Sequence, residues 1–360
     1  MAFELLVINP GSTSTKVAWF RDEEEVFSET QRYDSAELAR FGSVVEQREF
    51  RLRALLAMVE GRGLSLSSLS AVVGRGGLLH PLEGGTYLVN EAMVEDLMSC
   101  RYGEHASNLG AVMALDVVRA SGRDIPAFIV DPVVVDELWD VARPSGMPLI
   151  ERRSIFHALN QKASARWAAA RLGRAYEEVN LVVAHMGGGI SVGAHLRGRV
   201  VEVNNALDGE GPFAPERAGS LPAGELVNLC FSGRYTLEEM RRKLVGGGGM
   251  VAHLGTSDLR KVKAMIESGD ERARLVFEAM AYQVARWIGA CAAALSGQVD
   301  AVVLTGGLAH DADFVDRVRR RVSFIAPVMV HPGEFEMEAL RDGALRVLRG
   351  QERPRVYERW

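Results

Sequence analysis

The chain has 360 residues, 48% hydrophobic and 25% charged, with a formal net charge of -5 and a pI near 6.0. At ~150 residues per domain that length predicts about two domains of ordinary globular composition, and the acidic balance, with no basic run or zinc-like Cys/His spacing, argues against nucleic acid as a principal partner. Cys100, Cys230 and Cys291 are widely spaced in apolar surroundings and read as reduced core thiols of a cytoplasmic protein, and the first eight residues run into a strand without a basic leader, so neither a signal peptide nor a membrane partner is expected.

Leu5-Leu6-Val7-Ile8 predicts a buried strand, and Val17 and Trp19 alternating with Lys16 and Ala18 predict a second. The turn between them, from Asn9 through Gly11, Ser12 and Ser14 to Lys16, is rich in N–H, hydroxyl, amide and ammonium donors. Such a turn can wrap phosphate oxygens. It is not a P-loop, because Lys16 lacks the flanking Gly and Ser/Thr and leads into a strand; alternation along that strand can turn Lys16 outward. A third strand is expected around Glu25–Glu29. Ala71-Val72-Val73 then ends at Gly74-Arg75-Gly76-Gly77, and a later apolar strand closes at Val130-Asp131-Pro132. Pro144 to Arg153 is the expected domain boundary, followed by a helix over Ser154–Leu172 that contains His157 and ends at Gly173. Residues 181–203 again read strand, glycine turn (Gly187-Gly188-Gly189), strand, Arg-Gly turn and strand, with His185 at the end of the first. The Gly246-Gly247-Gly248-Gly249 loop reads either as a mobile lip or as a flexible surface connection. A long buried helix over about 273–296, a strand 301–304 with the turn Gly306-Gly307, a strand closing at Val330-His331-Pro332 and a helix 335–349 complete the pattern. The charged tail from Arg349 has no assignment between frayed and docked.

Three landmarks occur twice in the same order: the strand meander with its donor turn, the apolar strand ending in Gly-Gly, and the apolar strand closing in x-Pro. This predicts two copies of one mixed α/β unit. A three-strand meander followed by helices alternating with parallel strands is the duplicated, ribonuclease H-like unit of the actin, hexokinase and Hsp70 fold, in which two such domains face each other across a cleft. The expected domains are 1–152, completed by the C-terminal helix 338–360, and a nucleotide-binding domain 153–337.

Val7 to Lys16, Arg75-Gly76-Gly77, His105, Val130-Asp131-Pro132, Ser154-Ile155-Phe156-His157, Ala184 to Gly189, and Gly269-Asp270-Glu271-Arg272 through to Leu304-Thr305-Gly306-Gly307 together resemble the acetate kinase and butyrate kinase family. The resemblance spans nearly the whole chain. Acetate kinases are longer and usually carry asparagine where Gly188 stands, and the segment Asn204 to Gly219 looks like the butyrate kinase form. The resemblance implies reversible phosphoryl transfer from ATP to a short carboxylic acid, with Mg2+ and a homodimer or larger homo-oligomer. Acetate or propionate as substrate is the alternative within the family. A nucleotide-driven switch protein and a polyol kinase using Asp131 as base are the readings outside it.

A carboxylate acceptor is ionised at pH 7, its reference pKa being ~4, and needs no general base, so cations and hydrogen-bond donors should dominate the site. By resemblance Arg75 and Arg217 neutralise the acid and the transferring phosphoryl group, where a planar guanidinium can grip two oxygens. His157 and His185 contact that group, and His105 serves the acid side. Asn9, Ser12, Ser14, Lys16, Gly187 and Gly188 are the phosphate-turn candidates, Gly306 and Gly307 the nucleotide candidates. Asp131 and either Glu334 or Glu336 are the candidate Mg2+ ligands.

Overall fold

The apolar N-terminal run forms β1 (Glu4–Pro10), antiparallel to β2 (Ser14–Arg21), which in turn pairs antiparallel with β3 (Glu24–Arg32), in a computed structural model that describes residues 2–359. A short helix α1 (Ser35–Leu38) and α2 (Arg48–Gly61) lead to β4 (Ala71–Arg75), parallel to β1. Then come β5 (Thr86–Leu88), α3 (Glu91–Met98), α4 (Asn108–Ser121) and β6 (Ala127–Val130). The seven strands of this sheet run in the order β12-β5-β6-β4-β1-β2-β3, with β12 (Arg355–Val356) supplied by the C-terminal tail. One face buries Leu6, Ile8 and Val72 against Leu55 and Val59 of α2 and Leu109 and Met113 of α4. Each such fully buried aliphatic side chain contributes about 1.5–3 kcal/mol.

The second sheet repeats the design. After α5 (Ala158–Arg171), the strands β7 (Asn180–Met186), β8 (Ile190–Leu196) and β9 (Arg199–Val203) form an antiparallel meander, and β10 (Ala301–Gly306) and β11 (Val328–Pro332) add parallel strands in the order β11-β10-β7-β8-β9. Both meanders carry a bulge in the second strand, at Trp19/Phe20 and at Ala194/His195. Between β9 and β10 lie α6 (Ala223–Cys230), α7 (Leu237–Leu244), α8 (Gly249–Leu254), α9 (Leu259–Glu267) and α10 (Glu271–Ala294); α11 (Ala312–Val322) precedes β11. The side chain of Asp270 caps α10 by accepting from Ala273 N, and the buried stripe Ala273, Phe277, Met280, Val284, Ile288 and Cys291 follows the 3.6-residue period. That stripe packs on Val182, Ala184, Val302 and Leu304, while Leu181, Val183, Ala301 and Val303 meet the alanines of α5 on the other face. Strands covered on both faces explain the unbroken apolar runs in the sequence.

The chain divides into two compact units, one built from the chain up to Val135 plus Phe335 onward, the other from Asp136–Glu334. Residues 136–152, assigned by sequence to the first domain, sit in the second unit because their polar groups are used there: Trp139 N donates to Val201 O, Glu137 pairs with buried Lys162 at 2.9 Å, and Arg152 bridges Glu202 and Glu210. In the first unit α12 (Glu336–Leu348) returns to β1, β4 and β6, burying Met337, Leu340 and Ala344. The tail docks: Tyr357 is buried, its hydroxyl donates to Asp96, and Asn90 Nδ2 donates to Tyr357 O. Of the cysteines, Cys291 is buried and Cys100 partly so, but Cys230 is exposed at the end of α6, contrary to its expected core position. Among the described residues no helix is long and apolar enough to cross a membrane.

Candidate active site

The candidate residues form two clusters, one in each unit. In the first, parallel pairing of Ile8 with Gly74 brings the next residues of β1 and β4, Asn9 and Arg75, side by side. The close seat of α4 on β4 sets the height of Arg75: a Cβ on Gly110 would lie 2.2 Å from Arg75 O, and one on Gly74 2.1 Å from Gly110 O. Glu336, opening α12, completes the cluster. Its Oε2 accepts from Asn9 Nδ2 at 2.7 Å and from an Arg75 nitrogen at 2.8 Å, and the same nitrogen lies 3.3 Å from Asn9 Oδ1. His105 Nδ1 accepts from Ser107 N at 3.2 Å, and burial followed by the charge of Arg75 lowers its pKa.

The donor turn after β1 has an interior organiser that the sequence reading missed. Buried Arg51 of α2 donates to Gly11 O at 2.8 Å, Ser14 O at 2.9 Å and Ser12 O at 2.9 Å, and Tyr33 stacks beneath it. The carbonyls of the turn are thereby drawn inward. Ser12 is exposed, Ser14 half-buried, and Lys16 lies on the exposed face of β2. An arginine in the first turn of a helix carries no sequence signal for this role.

Asp131 follows β6 in a left-handed conformation, φ 38°. It is buried, and its Oδ1 accepts from Gly85 N at 2.7 Å while its own N–H donates to Gly85 O, so its carboxylate braces the loop before β5.

In the second unit His185 is the penultimate residue of β7 and His157 immediately precedes α5, not inside a helix as its periodicity suggested. Their rings stack at 3.9 Å and 15°. Asn160 Nδ2 lies 2.6 Å from His185 Nδ1, and Ser191 Oγ 2.9 Å from His157 Nδ1. The Gly187–Gly189 turn closes through Gly187 N donating to Gly189 O. Arg217 lies directly on it, since a Cβ on Gly189 would fall 2.1 Å from an Arg217 nitrogen. Arg217 also donates to Ala206 O; burial lowers its pKa, with Glu216 and Asp208 opposing, and the guanidinium stays charged. Glu334 stands beside the turn, its Oε1 3.9 Å from His185 Nε2.

The glycine loop 246–249 is neither lip nor loose connection at its C-terminal end. Gly248 and Gly249 are buried, and Gly249 (φ 59°) packs so tightly that a Cβ would sit 1.8 Å from Ala214 O. With Gly248 against the backbone of Arg217 and Ala218, the loop is the seat of the Arg217 segment. Thr305 pairs with His185 in register, so Gly306 (φ 87°) lies against Met186, where a Cβ would meet Met186 O at 2.5 Å; Gly307 has open space around it.

Among the described residues no group of three His, Cys, Asp or Glu side chains is arranged to hold a metal ion. Mg2+ handed over with nucleotide phosphates needs only one or two protein oxygens. Asn9 Oδ1 and Glu336 Oε2 already hold one cationic N–H between them, and this hard oxygen pair fits such an ion better than Asp131, whose Oδ1 is engaged by backbone.

A sequence model of the acetokinase family matches residues 144–327, slightly more than half of the chain. The structure is similar to an acetate kinase from Porphyromonas gingivalis (TM-score 0.78, 19% identity, covering 96% of this chain and 100% of that one). It is also similar to a propionate kinase from Francisella tularensis subsp. tularensis SCHU S4 (0.74, 17%, covering 95% and 98%) and to an acetate kinase from Entamoeba histolytica (0.73, 14%, covering 95% and 99%). At these identities the structural likeness speaks for the fold: two sheets of mixed α/β architecture.

Proposed function

Since the chain belongs to the acetokinase family, we propose that it transfers the γ-phosphoryl group of ATP reversibly to a short-chain carboxylic acid of the butyrate class, straight or branched. The observation that carries this reading is the chemistry of the two clusters: two guanidiniums and two stacked imidazoles at glycine and donor turns, with Asp131, the base a hydroxyl acceptor would call on, held by Gly85 N. An anionic acceptor needs charge neutralisation and positioning rather than a base.

Arg75 orients the acid, with His105 beside it on the acid side. An acid oxygen attacks the γ-phosphorus as the bond to the ADP oxygen breaks, and no proton has to be removed. Arg217, His157 and His185 donate to the oxygens of the transferring group, Ser12, Ser14, Lys16, Gly187 and Gly188 hold the other phosphates, and the second unit carries the nucleotide near Gly306 and Gly307. Asn9 and Glu336 would hold the Mg2+ of MgATP, which supplies neutralisation of the phosphate charge. Gly188 and the 204–219 segment support butyrate over acetate. The exposed apolar residues Val227, Phe231 and Leu237 support a homodimer or larger assembly.

The test is incubation with MgATP and acetate, propionate, butyrate, isobutyrate or valerate, trapping the acyl phosphate with hydroxylamine. A maximum at four carbons supports the reading. A maximum at acetate or propionate moves the substrate class, and no product with any acid sinks the kinase reading. Glu336→Gln should raise the Mg2+ concentration for half-maximal rate by about tenfold, as loss of one metal-directed ligand does; the same shift in Glu334→Gln and not in Glu336→Gln would reassign the ligand.

A further inference from the structure

Behind the stacked histidines lies a buried row of polar side chains for which the reaction has no direct use. Tyr176, Gln161, Ser191 and His195 are all at most 4% exposed. Ser191, Gly193 and His195 share one face of β8 at alternate positions, and Gln161 reaches that face from the first turn of α5. Gly193 makes room for it: a Cβ there would lie 2.6 Å from Gln161 Oε1.

The contacts form one continuous chain. Tyr176 Oη lies 2.7 Å from His195 Nδ1, and His195 Nε2 lies 3.0 Å from Gln161 Oε1. Gln161 Nε2 lies 2.7 Å from Ser191 Oγ, and Ser191 Oγ lies 2.9 Å from His157 Nδ1.

The directions of the links are set outward from Gln161. Gln161 Nε2 is also 3.1 Å from the carbonyl oxygen of Ser191, and a carbonyl can only accept, so this end of the side chain is the NH2 group. Gln161 Oε1 therefore accepts, and His195 must carry its proton on Nε2. His195 is neutral, because burial and then the charges of Lys162 and Arg166 hold its pKa well below the ordinary value. Its Nδ1 accordingly accepts from the Tyr176 hydroxyl. At the other end, Ser191 Oγ accepts from Gln161 Nε2 and, at 3.5 Å, from His157 N, which takes up both its acceptor sites and leaves its own proton for His157 Nδ1.

We propose that Tyr176, His195, Gln161 and Ser191 are positioning residues, a hydrogen-bond relay that holds His157 in the tautomer protonated on Nε2, the nitrogen that on the reading above donates to the transferring phosphoryl group. Aligned links of this kind polarise one another in a low-dielectric interior. The adjacent residue on α5 serves the second imidazole in the same way. Thr305 Oγ1 donates to Gly333 O at 3.3 Å and accepts from Asn160 Nδ2 at 3.4 Å, and the same Nδ2 donates to His185 Nδ1. Both rings of the stack thus present Nε2–H.

The test is two-bond 1H–15N correlation NMR on histidine-labelled full-length protein, with the His157 signals assigned by their loss in His157→Gln. Wild type is expected to show Nδ1 bare and Nε2 protonated; a proton on Nδ1 would overturn the relay. Gln161→Glu keeps an acceptor for His195 but offers Ser191 an acceptor where a donor stood. Ser191 then turns its proton away, and His157 should switch to the Nδ1–H form. The expected loss in kcat is about 100-fold, as for removal of a transition-state donor, with KM for ATP within about twofold. Unchanged tautomer and kcat in a folded Gln161→Glu protein would also overturn the relay, and if that variant fails to fold the wild-type spectrum decides alone. Failure of the kinase reading looks different: no acid yields an acyl phosphate, whatever tautomer the spectrum reports.

Discussion

Arg217 draws its leverage from a glycine. Its guanidinium occupies the space that a Cβ on Gly189 would need, and its backbone is seated on Gly248 and Gly249. Arg217→Ala should therefore lower kcat by about 10²–10³ with little change in the melting temperature, the expected signature of a charge spent on the transition state. Arg217→Lys should not restore the rate, since an ammonium cannot span two oxygens; steady-state kinetics at saturating ATP and acid checks both. A second residue-scale expectation concerns pH. His331 stacks on Trp167 at 4.2 Å, and burial with the nearby charge of Arg171 pushes its pKa down to about 4. His195 and His105 are lowered as well. Below the ordinary histidine value the unfolded chain binds protons that the folded chain refuses, so stability is fully present near pH 7 and is lost as pH falls toward 4. His331→Gln should shrink that loss, which urea midpoints at pH 7 and 4.5 would measure; an unchanged difference would show that His331 takes no part in it.

At the scale of elements, α2 and the first hairpin act as one piece. Arg51 satisfies three turn carbonyls at once, so Arg51→Met would strip the part-buried Gly11 and Ser12 carbonyls of their guanidinium donor while Ser14 O keeps Gly11 N, at a cost of about 3 kcal/mol in stability. The turn would also lose the force that draws its carbonyls inward, and KM for ATP should rise. Denaturant melts and initial rates separate the two effects, and a variant as stable as wild type with normal KM would remove Arg51 from the site. Sequence periodicity found both meanders, both glycine turns and the long helix α10, because a strand or helix that buries one face or stripe advertises it in the local pattern. It did not place Gly246–Gly249, because a glycine that allows close backbone approach and one that merely loosens a loop are written with the same letter. His157 was misplaced by one helical turn for a related reason: Ser154-Ile155-Phe156 has the apolar content of a helix, yet α5 begins only at Ala158 and Ile155 O accepts instead from Ala206 N.

For the whole molecule, the connectivity of the units has a consequence. Asp136–Glu334 is continuous, whereas the other unit needs the chain from Phe335 onward. Gly343 of α12 sits so close to β6 that a Cβ would lie 2.4 Å from Val130, and Thr86 donates to Gly343 O. A fragment ending at Val135 should therefore be unfolded by circular dichroism and hydrogen exchange, and adding a 335–360 peptide should restore protection, while 136–334 should fold alone. A folded 1–135 fragment would contradict this.

What the amino-acid order determined by itself was the repeated unit and the position of candidate groups at strand ends, because both follow from contacts within a few residues along the chain. Asn9, Arg75, His185 and the Gly187–Gly189 and Gly306–Gly307 turns were all readable in that way. The tertiary structure alone decided which partners those groups have. Glu336 reaches Asn9 and Arg75 from the far end of the chain, Arg51 reaches under the hairpin, and Gln161 threads past Gly193 to link His195 to Ser191 and His157. A buried polar group must find its partner wherever packing puts one, and that partner's position in sequence is unconstrained by any local period.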